Sequence, residues 1–213
     1  MKRSADDSWR ALQGWARESV DVEISLEQWS RLRTYVDELR LWNRRMSLVS
    51  QQDLAAILTK HVADSLVAAS HCGAARRIAD LGSGAGFPGI PIAILQPRAA
   101  VWLMESTAKK VSFLETARRV VGLSNLFTFE GRIEAAAQLP IHQRAYDLVT
   151  SRALAEIEKL RHLAQPLLVP GGRLLAMRSD SVNQVETAEV IRYELPDRAP
   201  RLLQIIPAEP DIA

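Results

Sequence analysis

Residues 80–89 read DLGSGAGFPG, a run of ten residues that contains four glycines and one proline. A short apolar stretch that begins at Ile78 leads directly into this run. Glycines allow a tight turn between a strand and a helix, and their missing side chains let a ligand approach the backbone and the first N–H groups of the helix. The run therefore predicts a strand, a turn and a helix that together bind a nucleotide-like ligand.

The residues that follow this turn alternate between strand-like and helix-like segments. Short apolar runs lie at residues 78–81, 100–104, 126–129, 146–150 and 173–177. This alternation is typical of an α/β protein with a doubly wound, Rossmann-like parallel sheet. The runs at 190–195 and 202–206 are separated only by PDRAP, which predicts two antiparallel strands at the C-terminal end.

The first 75 residues have a helical pattern instead. Apolar side chains recur at steps of three and four from Leu26 to Leu39, after Ser25 with Gln28 three residues on, which predicts a helix with a capping box. A second helix is predicted from about residue 52 to Gly73. Four of the five tryptophans lie in the first 42 residues, and we expect them to fill the contact between a helical cap at 1–75 and a main domain at 76–213.

Composition excludes several classes of protein. With 213 residues, 47% hydrophobic and 24% charged, the chain suits one main globular domain, and a net charge of +2 permits a nucleic-acid partner without requiring one. The single cysteine, Cys72, excludes an internal disulfide and a cysteine-rich zinc site, and His71, His142 and His162 have no metal-ligand spacing. We find no signal-peptide core and no apolar run that could span a bilayer, so we expect a cytoplasmic monomer without a membrane partner.

Candidate ligand-binding residues follow the strands, because ligands of an open parallel sheet bind at the carboxyl ends of its strands. The glycine run follows the first strand and Glu105 follows the second. Residues 131–134, reading GRIE, follow the third strand, and Arg152 follows the fourth. We expect these four positions to meet around one ligand.

The glycine run contains two overlapping cofactor patterns. Gly84, Gly86 and Gly89 satisfy the dinucleotide fingerprint G-x-G-x-x-G, which alone is weak, whereas Asp80, Gly82, Gly84 and Gly86 satisfy the acidic-x-G-x-G-x-G pattern of S-adenosylmethionine enzymes. The Asp80 carboxylate would attract the cationic amino group of methionine but repel a pyrophosphate. We therefore favour S-adenosyl-L-methionine, with an NAD-dependent oxidoreductase as the alternative.

Phe87 and the residues after the second and third strands can be assigned contacts with that cofactor. Phe87 can cover one side of it, Glu105 can hold its ribose hydroxyls, and Ile133 with Glu134 can line an adenine pocket. Ordinary structural roles remain open for the last two. Ile133 can be a core residue of a short helix, and Glu134 a solvated carboxylate favoured by the helix dipole.

Arg152 limits the chemistry of the acceptor. It follows the strand at the point where a methyl acceptor would meet the donor, and an arginine can orient a ligand but cannot act as a base. Oxygen and amine acceptors must lose a proton during methylation, whereas N7 of guanine has a free lone pair and needs only alignment. Arg152 also suits O6 and N7 of guanine, so it is the candidate catalytic residue.

Several separated motifs together resemble the glucose-inhibited division protein B family. They are WN at 42–43, MSLVS at 46–50, KHVADS at 60–65, the glycine run, ES at 105–106 with KKVSFL at 109–114, GRIE at 131–134 and SRA at 151–153. The resemblance covers about residues 25–178, in consistent order. The chain departs from the family at Ser47 and Val49, where asparagine and threonine are usual.

The resemblance implies a class I methyltransferase that places a methyl group on N7 of a guanine in 16S ribosomal RNA, near the decoding region. It implies 16S ribosomal RNA or the 30S subunit as partner. A noncatalytic ribosomal RNA-binding assembly factor remains open as a further alternative. By position it implies that Gly82, Phe87, Ile133, Glu134 and Arg152 contact the methyl donor, with Glu105 near its ribose. A lone histidine is commonly a structural hydrogen-bonding residue, but His61 lies in one of the shared motifs, which makes contact with the substrate at least as plausible.

Basic residues cluster at two places that could attract RNA phosphates. One cluster lies on the N-terminal helix and its end (Arg31, Arg33, Arg40, Arg44 and Arg45), and the other flanks the predicted cleft (Lys60, His61, Lys109, Lys110, Arg118 and Arg119). Lys109 and Lys110 are therefore candidate substrate contacts, together with His61. For the first cluster, a solvated helix face balanced by Asp37 and Glu38 remains equally open.

Overall fold

A computed structural model describes residues 5–152, 155–179 and 185–209 of the chain. Its centre is one seven-stranded sheet with the strand order β3-β2-β1-β4-β5-β7-β6. The strands are β1 (Arg77–Leu81), β2 (Ala100–Glu105), β3 (Leu126–Glu130), β4 (Tyr146–Arg152), β5 (Leu168–Ser179), β6 (Glu189–Glu194) and β7 (Pro200–Pro207). The first five are parallel, and β7 is antiparallel to both β5 and β6. The predicted α/β class, the parallel sheet and the antiparallel C-terminal pair are confirmed.

Helices pack on both faces of this sheet. They are α1 (Ala5–Ser19), α2 (Leu26–Asn43), α3 (Gln51–Ala55), α4 (Ala63–Ser70), α5 (Gly89–Leu95), α6 (Ala108–Val121), α7 (Ile133–Ala136) and α8 (Ile157–Ala164). Helix α2 begins as predicted, because Ser25 Oγ accepts a hydrogen bond from the Gln28 N–H at 3.2 Å and Gln28 Oε1 accepts one from the Ser25 N–H at 2.9 Å. This capping box satisfies backbone N–H groups that lack a partner within the helix.

The second predicted helix is wrong as a single element. The segment consists of α3, a π-helical turn (Ile57–Val62) and α4, with a break at Ala56 (φ −96°, ψ 17°). The apolar residues continue at steps of three and four through this segment, so their spacing does not mark the one wider turn. Contacts across the break hold the interruption, since Lys60 Nζ lies 2.5 Å from Oδ1 of Asp53.

Alternating strand residues supply the two halves of the core. Ile78, Val101 and Leu103 face one side, where they join buried residues of α1, α2, the π-helical turn and α4 to α6. Ala79 and Val149 face the other side, which α7 and α8 cover. The N-terminal helices therefore share one continuous core with a face of the sheet.

The four N-terminal tryptophans connect helices and strands at separate places. Trp9 packs edge-on against Trp29 between α1 and α2, with ring centroids 6.4 Å apart. Trp42 packs against Phe113 of α6 at 5.7 Å, and Trp15 Nε1 donates a hydrogen bond to the backbone oxygen of Glu194 in β6 at 3.2 Å. They thus link α1 and α2 to each other, to α6 and to the C-terminal strand pair.

The strand order reverses between β1 and β4, which is where ligands bind in open α/β sheets. Leu81 pairs with Ser151 in register, and Ser151 Oγ donates to the Leu81 carbonyl at 3.0 Å. The glycine run and Arg152 therefore lie next to each other at the carboxyl ends of β1 and β4.

Candidate functional site

The glycine run forms the predicted turn between β1 and α5, and its backbone requires glycine. Gly82, Gly84 and Gly86 have φ of +68°, +57° and +93°. A Cβ at Gly86 would lie 2.5 Å from Ile90 Cδ1 and 3.1 Å from the Tyr35 hydroxyl. The loop is therefore fixed both by its own conformation and by contact with α2.

Asp80 lies buried beneath this loop. Its Oδ2 accepts a hydrogen bond from the Gly89 N–H at 3.2 Å, whereas Oδ1 has no hydrogen-bond partner among the described residues. Burial raises the pKa of Asp80 to about 7, although the nearby Ser83 hydroxyl, which donates to the Asp80 backbone carbonyl at 3.0 Å, and the hydrogen bond from Gly89 oppose this shift. A buried oxygen without a partner fits a ligand that brings a hydrogen-bond donor or a positive charge, as the amino group of a methionine moiety does.

Glu105 ends β2 and connects three backbone segments. Its Oε2 accepts from the Gly84 N–H at 3.0 Å and Oε1 accepts from the Thr107 N–H at 2.9 Å, with Lys110 Nζ 3.8 Å from Oε2. Each carboxylate oxygen has two lone pairs, so both can still accept a further hydrogen bond. The buried carboxylate is thus suited to hold a diol.

A cleft of about 420 Å³ opens beside Glu105. Gly82, Glu105, Ile133 and Glu134 all line it, so the structure brings these predicted donor contacts together. Ile133 is half-buried and Glu134 is exposed, both in the first turn of α7. A carboxylate, an apolar edge and a glycine loop around one cleft fit a nucleoside.

Arg152 lies at the end of β4 between an aromatic ring and a carboxylate. Its guanidinium carbon is 5.6 Å from the centre of the Phe87 ring, and Nη1 is 4.0 Å from Oδ2 of Asp64. Phe87 is itself buried and packs against Tyr35 and His61 at ring distances of 5.2 and 5.3 Å. Ala153, the last residue of the predicted SRA motif, lies outside the described residues.

A second cleft of about 600 Å³ adjoins Arg152 and is strongly charged. Its lining includes His61, four cationic side chains (Lys60, Arg152, Arg178 and Arg201) and three carboxylates (Asp53, Asp64 and Glu156). Ala155 lines this cleft as well as the smaller one, so the two are neighbours. The arrangement can hold a nucleoside in one cleft and an anionic substrate in the other.

His61 faces the second cleft from the π-helical turn. The residue is 5% exposed, and neither ring nitrogen makes a hydrogen bond within the part of the chain that the structure describes. Nε2 lies 3.4 Å from Oδ1 of Asp53 without the alignment of a hydrogen bond. Burial, with the positive charge of Arg152, lowers the pKa of His61 to about 4. The imidazole is therefore neutral near pH 7 and offers one donor and one acceptor.

The two predicted lysine contacts do not join His61. Lys110 lines the smaller cleft beside Glu105, and Lys109 is exposed at the start of α6 without lining either cleft. Their contact with a substrate stays a prediction.

Much of the first basic cluster is neutralised by ion pairs. Arg31, Arg33 and Arg40 lie within 4.0 Å of carboxylates of Glu27, Asp6 and Asp37 respectively. Arg44 and Arg45, at the end of α2, are exposed. The structure thus favours the solvated-face interpretation for the three residues within the helix.

The sequence interpretation missed Asp64 and Tyr193. The Tyr193 hydroxyl donates a hydrogen bond of 2.5 Å to Oδ1 of Asp64. Burial raises the pKa of Asp64, whereas the hydrogen bond from Tyr193 and the charge of Arg152 lower it. Asp64 belongs to the KHVADS motif and could have been singled out there, but 129 positions separate it from Tyr193, and no local pattern marks that tyrosine.

Residues 5–152, 155–179 and 185–209 lack both a metal-binding cluster and a membrane-spanning helix. These ranges contain no group of three or more histidine, cysteine or acidic side chains arranged to hold a metal ion. They also contain no helix with the length and hydropathy needed to cross a bilayer.

Sequence comparison finds relatives over most of the chain. Residues 28–195 match the family model GidB, described as rRNA small subunit methyltransferase G. A protein of Desulfitobacterium hafniense named "Ribosomal RNA small subunit methyltransferase G" is 38% identical over 168 residues, which are 79% of this chain and 70% of that protein. A protein of Roseiflexus castenholzii with the same name is 40% identical over 171 residues, 80% of this chain and 70% of that protein.

Solved structures with the same fold are more distant in sequence. A methyltransferase from Geobacter sulfurreducens aligns with a TM-score of 0.53 at 14% identity, covering 97% of this chain and 91% of its own. TYW2 from P. horikoshii, solved in complex with MeSAdo, aligns with a TM-score of 0.52 at 11% identity, covering 69% and 62%. At these identities the structures support the Rossmann-like methyltransferase fold alone.

Proposed function

The chain belongs to the rRNA small subunit methyltransferase G family, and from that membership we propose that it methylates N7 of a guanine in 16S ribosomal RNA, near the decoding region. The methyl donor in this proposal is S-adenosyl-L-methionine. The observation that carries it is the pair of adjoining clefts at the reversal of the sheet, one suited to a nucleoside and one lined by charged side chains, in which four cations outnumber three carboxylates.

The donor would occupy the smaller cleft and supply an electrophilic methyl group when bound. Asp80 would face its amino group through the unpaired Oδ1, and Glu105 would accept its ribose hydroxyls. Gly82, Gly84 and Gly86 would let it approach the backbone, and Ile133 with Glu134 would border its adenine. Phe87 would support the site indirectly, because its ring packs against the Arg152 guanidinium.

The acceptor would enter the larger cleft. Guanine N7 reacts through its lone pair, so the protein must align it and needs no general base. His61 is neutral near pH 7 and can therefore donate one hydrogen bond and accept another in this cleft. Arg152 is the proposed catalytic residue because its guanidinium can pair with O6 of guanine, with His61 as a substrate contact beside it.

Residues 76–213 would form the donor-binding domain, and the helical segment at 1–75 would contribute the wall that contains His61 and Asp64. The partner would be 16S ribosomal RNA or the 30S subunit, met by a monomer in the cytoplasm. Lys109 and Lys110 are proposed to contact RNA phosphates near the rim, together with the exposed Arg44 and Arg45.

The test supplies radiolabelled adenosylmethionine to naked 16S RNA and to 30S subunits from a strain that lacks the gene. We expect label at one guanine, and chain cleavage after borohydride and aniline treatment identifies N7-methylguanosine. Binding of the RNA without label would instead indicate a noncatalytic assembly factor. Thermal stabilisation by NAD and not by adenosylhomocysteine would indicate an oxidoreductase. Either result would overturn the proposal.

A further inference from the structure

Three side chains connect the C-terminal strand pair to the candidate catalytic residue. The Tyr193 hydroxyl in β6 donates to Oδ1 of Asp64 in α4 at 2.5 Å. Oδ2 of the same carboxylate lies 4.0 Å from Nη1 of Arg152 in β4. Asp64 thus has one oxygen engaged by tyrosine and the other facing the guanidinium.

Tyr193 is itself firmly held. Its ring packs against the core cluster shared by the N-terminal helices and the sheet, and it lies opposite Arg201 of β7 in the strand register. The adjacent residue, Glu194, accepts a hydrogen bond from Trp15 through its backbone oxygen. The tyrosine hydroxyl is therefore a fixed point against which a neighbouring carboxylate can be oriented.

The ionisation of Asp64 depends on groups from four elements. Its side chain is only 5% exposed, and this burial favours the protonated form. The Tyr193 hydrogen bond opposes burial, as do the charges of Arg152, of Arg201 and of Lys60 in the π-helical turn. A hydrogen bond donated to a carboxylate stabilises its charged form, so loss of the hydroxyl raises the pKa of Asp64.

Arg152 needs such support because an arginine side chain has many rotamers. The Phe87 ring restrains the guanidinium on one side, at 5.6 Å. A carboxylate on another side restrains its rotation, and small losses of alignment at a reacting centre reduce rates strongly. Protonated Asp64 would provide no such attraction.

We propose that Tyr193 is a positioning residue for methyl transfer: its hydroxyl orients the Asp64 carboxylate, which in turn holds the Arg152 guanidinium in place at the larger cleft. The proposal rests on the proposed function, because it assigns to Arg152 the alignment of the acceptor. It extends the functional unit to β6, which lines neither cleft.

Tyr193→Phe removes the hydroxyl and keeps the ring. In the free protein, carbon-13 carboxyl spectra should show the Asp64 titration about one pH unit higher in this variant than in the wild type. Tyr146→Phe is the matched control, since the hydroxyl of the buried Tyr146 is also hydrogen-bonded, to His142, but Tyr146 lies outside both clefts. An Asp64 titration that is unchanged in Tyr193→Phe would overturn the proposal.

The rate of methyl transfer at saturating substrates supplies the functional measurement. For Tyr193→Phe we expect the acid limb of the kcat–pH profile to shift to higher pH together with the Asp64 titration. Raising the pH should therefore restore most of the activity. Asp64→Asn should lower kcat at every pH by about tenfold or more. A loss in Tyr193→Phe that is equal at every pH would indicate a purely structural role and would overturn the proposal.

A different methylation activity and a different role of Tyr193 would give distinguishable results. If the proposed function is wrong, wild-type protein transfers no label to guanine N7, whatever the titration of Asp64. If only the positioning role is wrong, wild-type protein is active and Tyr193→Phe has the wild-type pH profile.

Discussion

Oε2 of Glu105 accepts a hydrogen bond of 3.0 Å from the backbone N–H of Gly84. The carboxylate at the end of β2 thereby fixes the middle of the glycine loop that follows β1. Its Oε1 binds the Thr107 N–H just before α6, so one side chain links both segments that border the smaller cleft. The shape and the charge of the smaller cleft thus both depend on Glu105.

Glu105→Gln should weaken donor binding with little change in the fold. The amide keeps one acceptor oxygen, but its NH₂ group then faces a backbone N–H and cannot accept a ribose hydroxyl. We expect the dissociation constant of adenosylhomocysteine, measured by titration calorimetry, to rise about tenfold to a hundredfold. Glu130→Gln is the control, because Glu130 is the exposed register partner of Glu105 at the end of β3. Equal affinities of the two variants would contradict this role of Glu105.

Gly86→Ala should destabilise the protein because two effects coincide at this position. A left-handed φ of +93° is unfavourable for alanine, and the new Cβ would overlap the Ile90 side chain. We expect a loss of about 3 kcal/mol in the free energy of unfolding, measured with urea. Gly122→Ala provides the comparison, since Gly122 has a φ of +74° but no atom within 4 Å of the added Cβ. Its expected loss is about 1 kcal/mol, and equal losses would refute the overlap at Gly86.

The fold was largely predictable because the strands carry strong local signals. Short, mostly apolar runs identify buried strands such as β1 and β4, and the alternation with helices indicates their parallel arrangement. The π-helical turn was not predictable, since tertiary contacts such as Lys60 with Asp53 decide where a helix widens.

The residues of the candidate site were likewise predictable only in part. Positions directly after strands, such as Glu105 and Arg152, follow from the topology of a parallel sheet. Tyr193 could not be found in this way, because its role depends on a contact with Asp64 that only the folded chain creates. The neutralisation of Arg33 by Asp6, 27 residues away, is likewise a property of the packed helices.

Asp80 should make stability fall as the pH rises. Its pKa is about 7 in the folded protein against 3.8 for an unperturbed group, so between these values the folded state keeps a proton that the unfolded state has lost. Stability relative to Asp80→Asn is therefore greatest below about pH 4, declines up to about pH 7 and is constant above. We expect a decline on the order of 2–4 kcal/mol, measured by urea unfolding at a series of pH values.

Asp53→Asn is the control for this pH dependence, because its shift has the opposite sign. The hydrogen bond from Lys60 lowers the pKa of Asp53 to about 2, so its stabilising contribution is present above the unperturbed pKa and is lost only as the pH falls toward 2. The stability difference between wild type and Asp53→Asn should be constant from about pH 5 to 7. A wild-type advantage over Asp80→Asn that is also constant in this range would contradict the buried, partly protonated Asp80.

Arg152→Ala should impair methyl transfer far more than stability. The Arg152 side chain is 21% exposed and its ion pair with the buried Asp64 is long, at 4.0 Å, while Asp64 keeps its hydrogen bond to Tyr193, so we expect about 1–2 kcal/mol of lost stability. Loss of an aligned cation at the reacting centre should lower kcat about a hundredfold or more. Arg152→Lys keeps the charge without the planar fork and should have an intermediate rate.

Arg161→Ala is a matched control for the Arg152 substitution, because Arg161 is 25% exposed and also paired, with Glu158 and Glu209, but lies in α8 and lines neither cleft. Single-turnover rates with labelled donor, read beside thermal unfolding, separate the two effects. Arg161→Ala should lose stability comparably and keep its rate. If Arg152→Ala methylates at nearly the wild-type rate, the guanidinium does not align the acceptor, and the cation of the larger cleft that performs this role must be sought at Arg178 or Arg201.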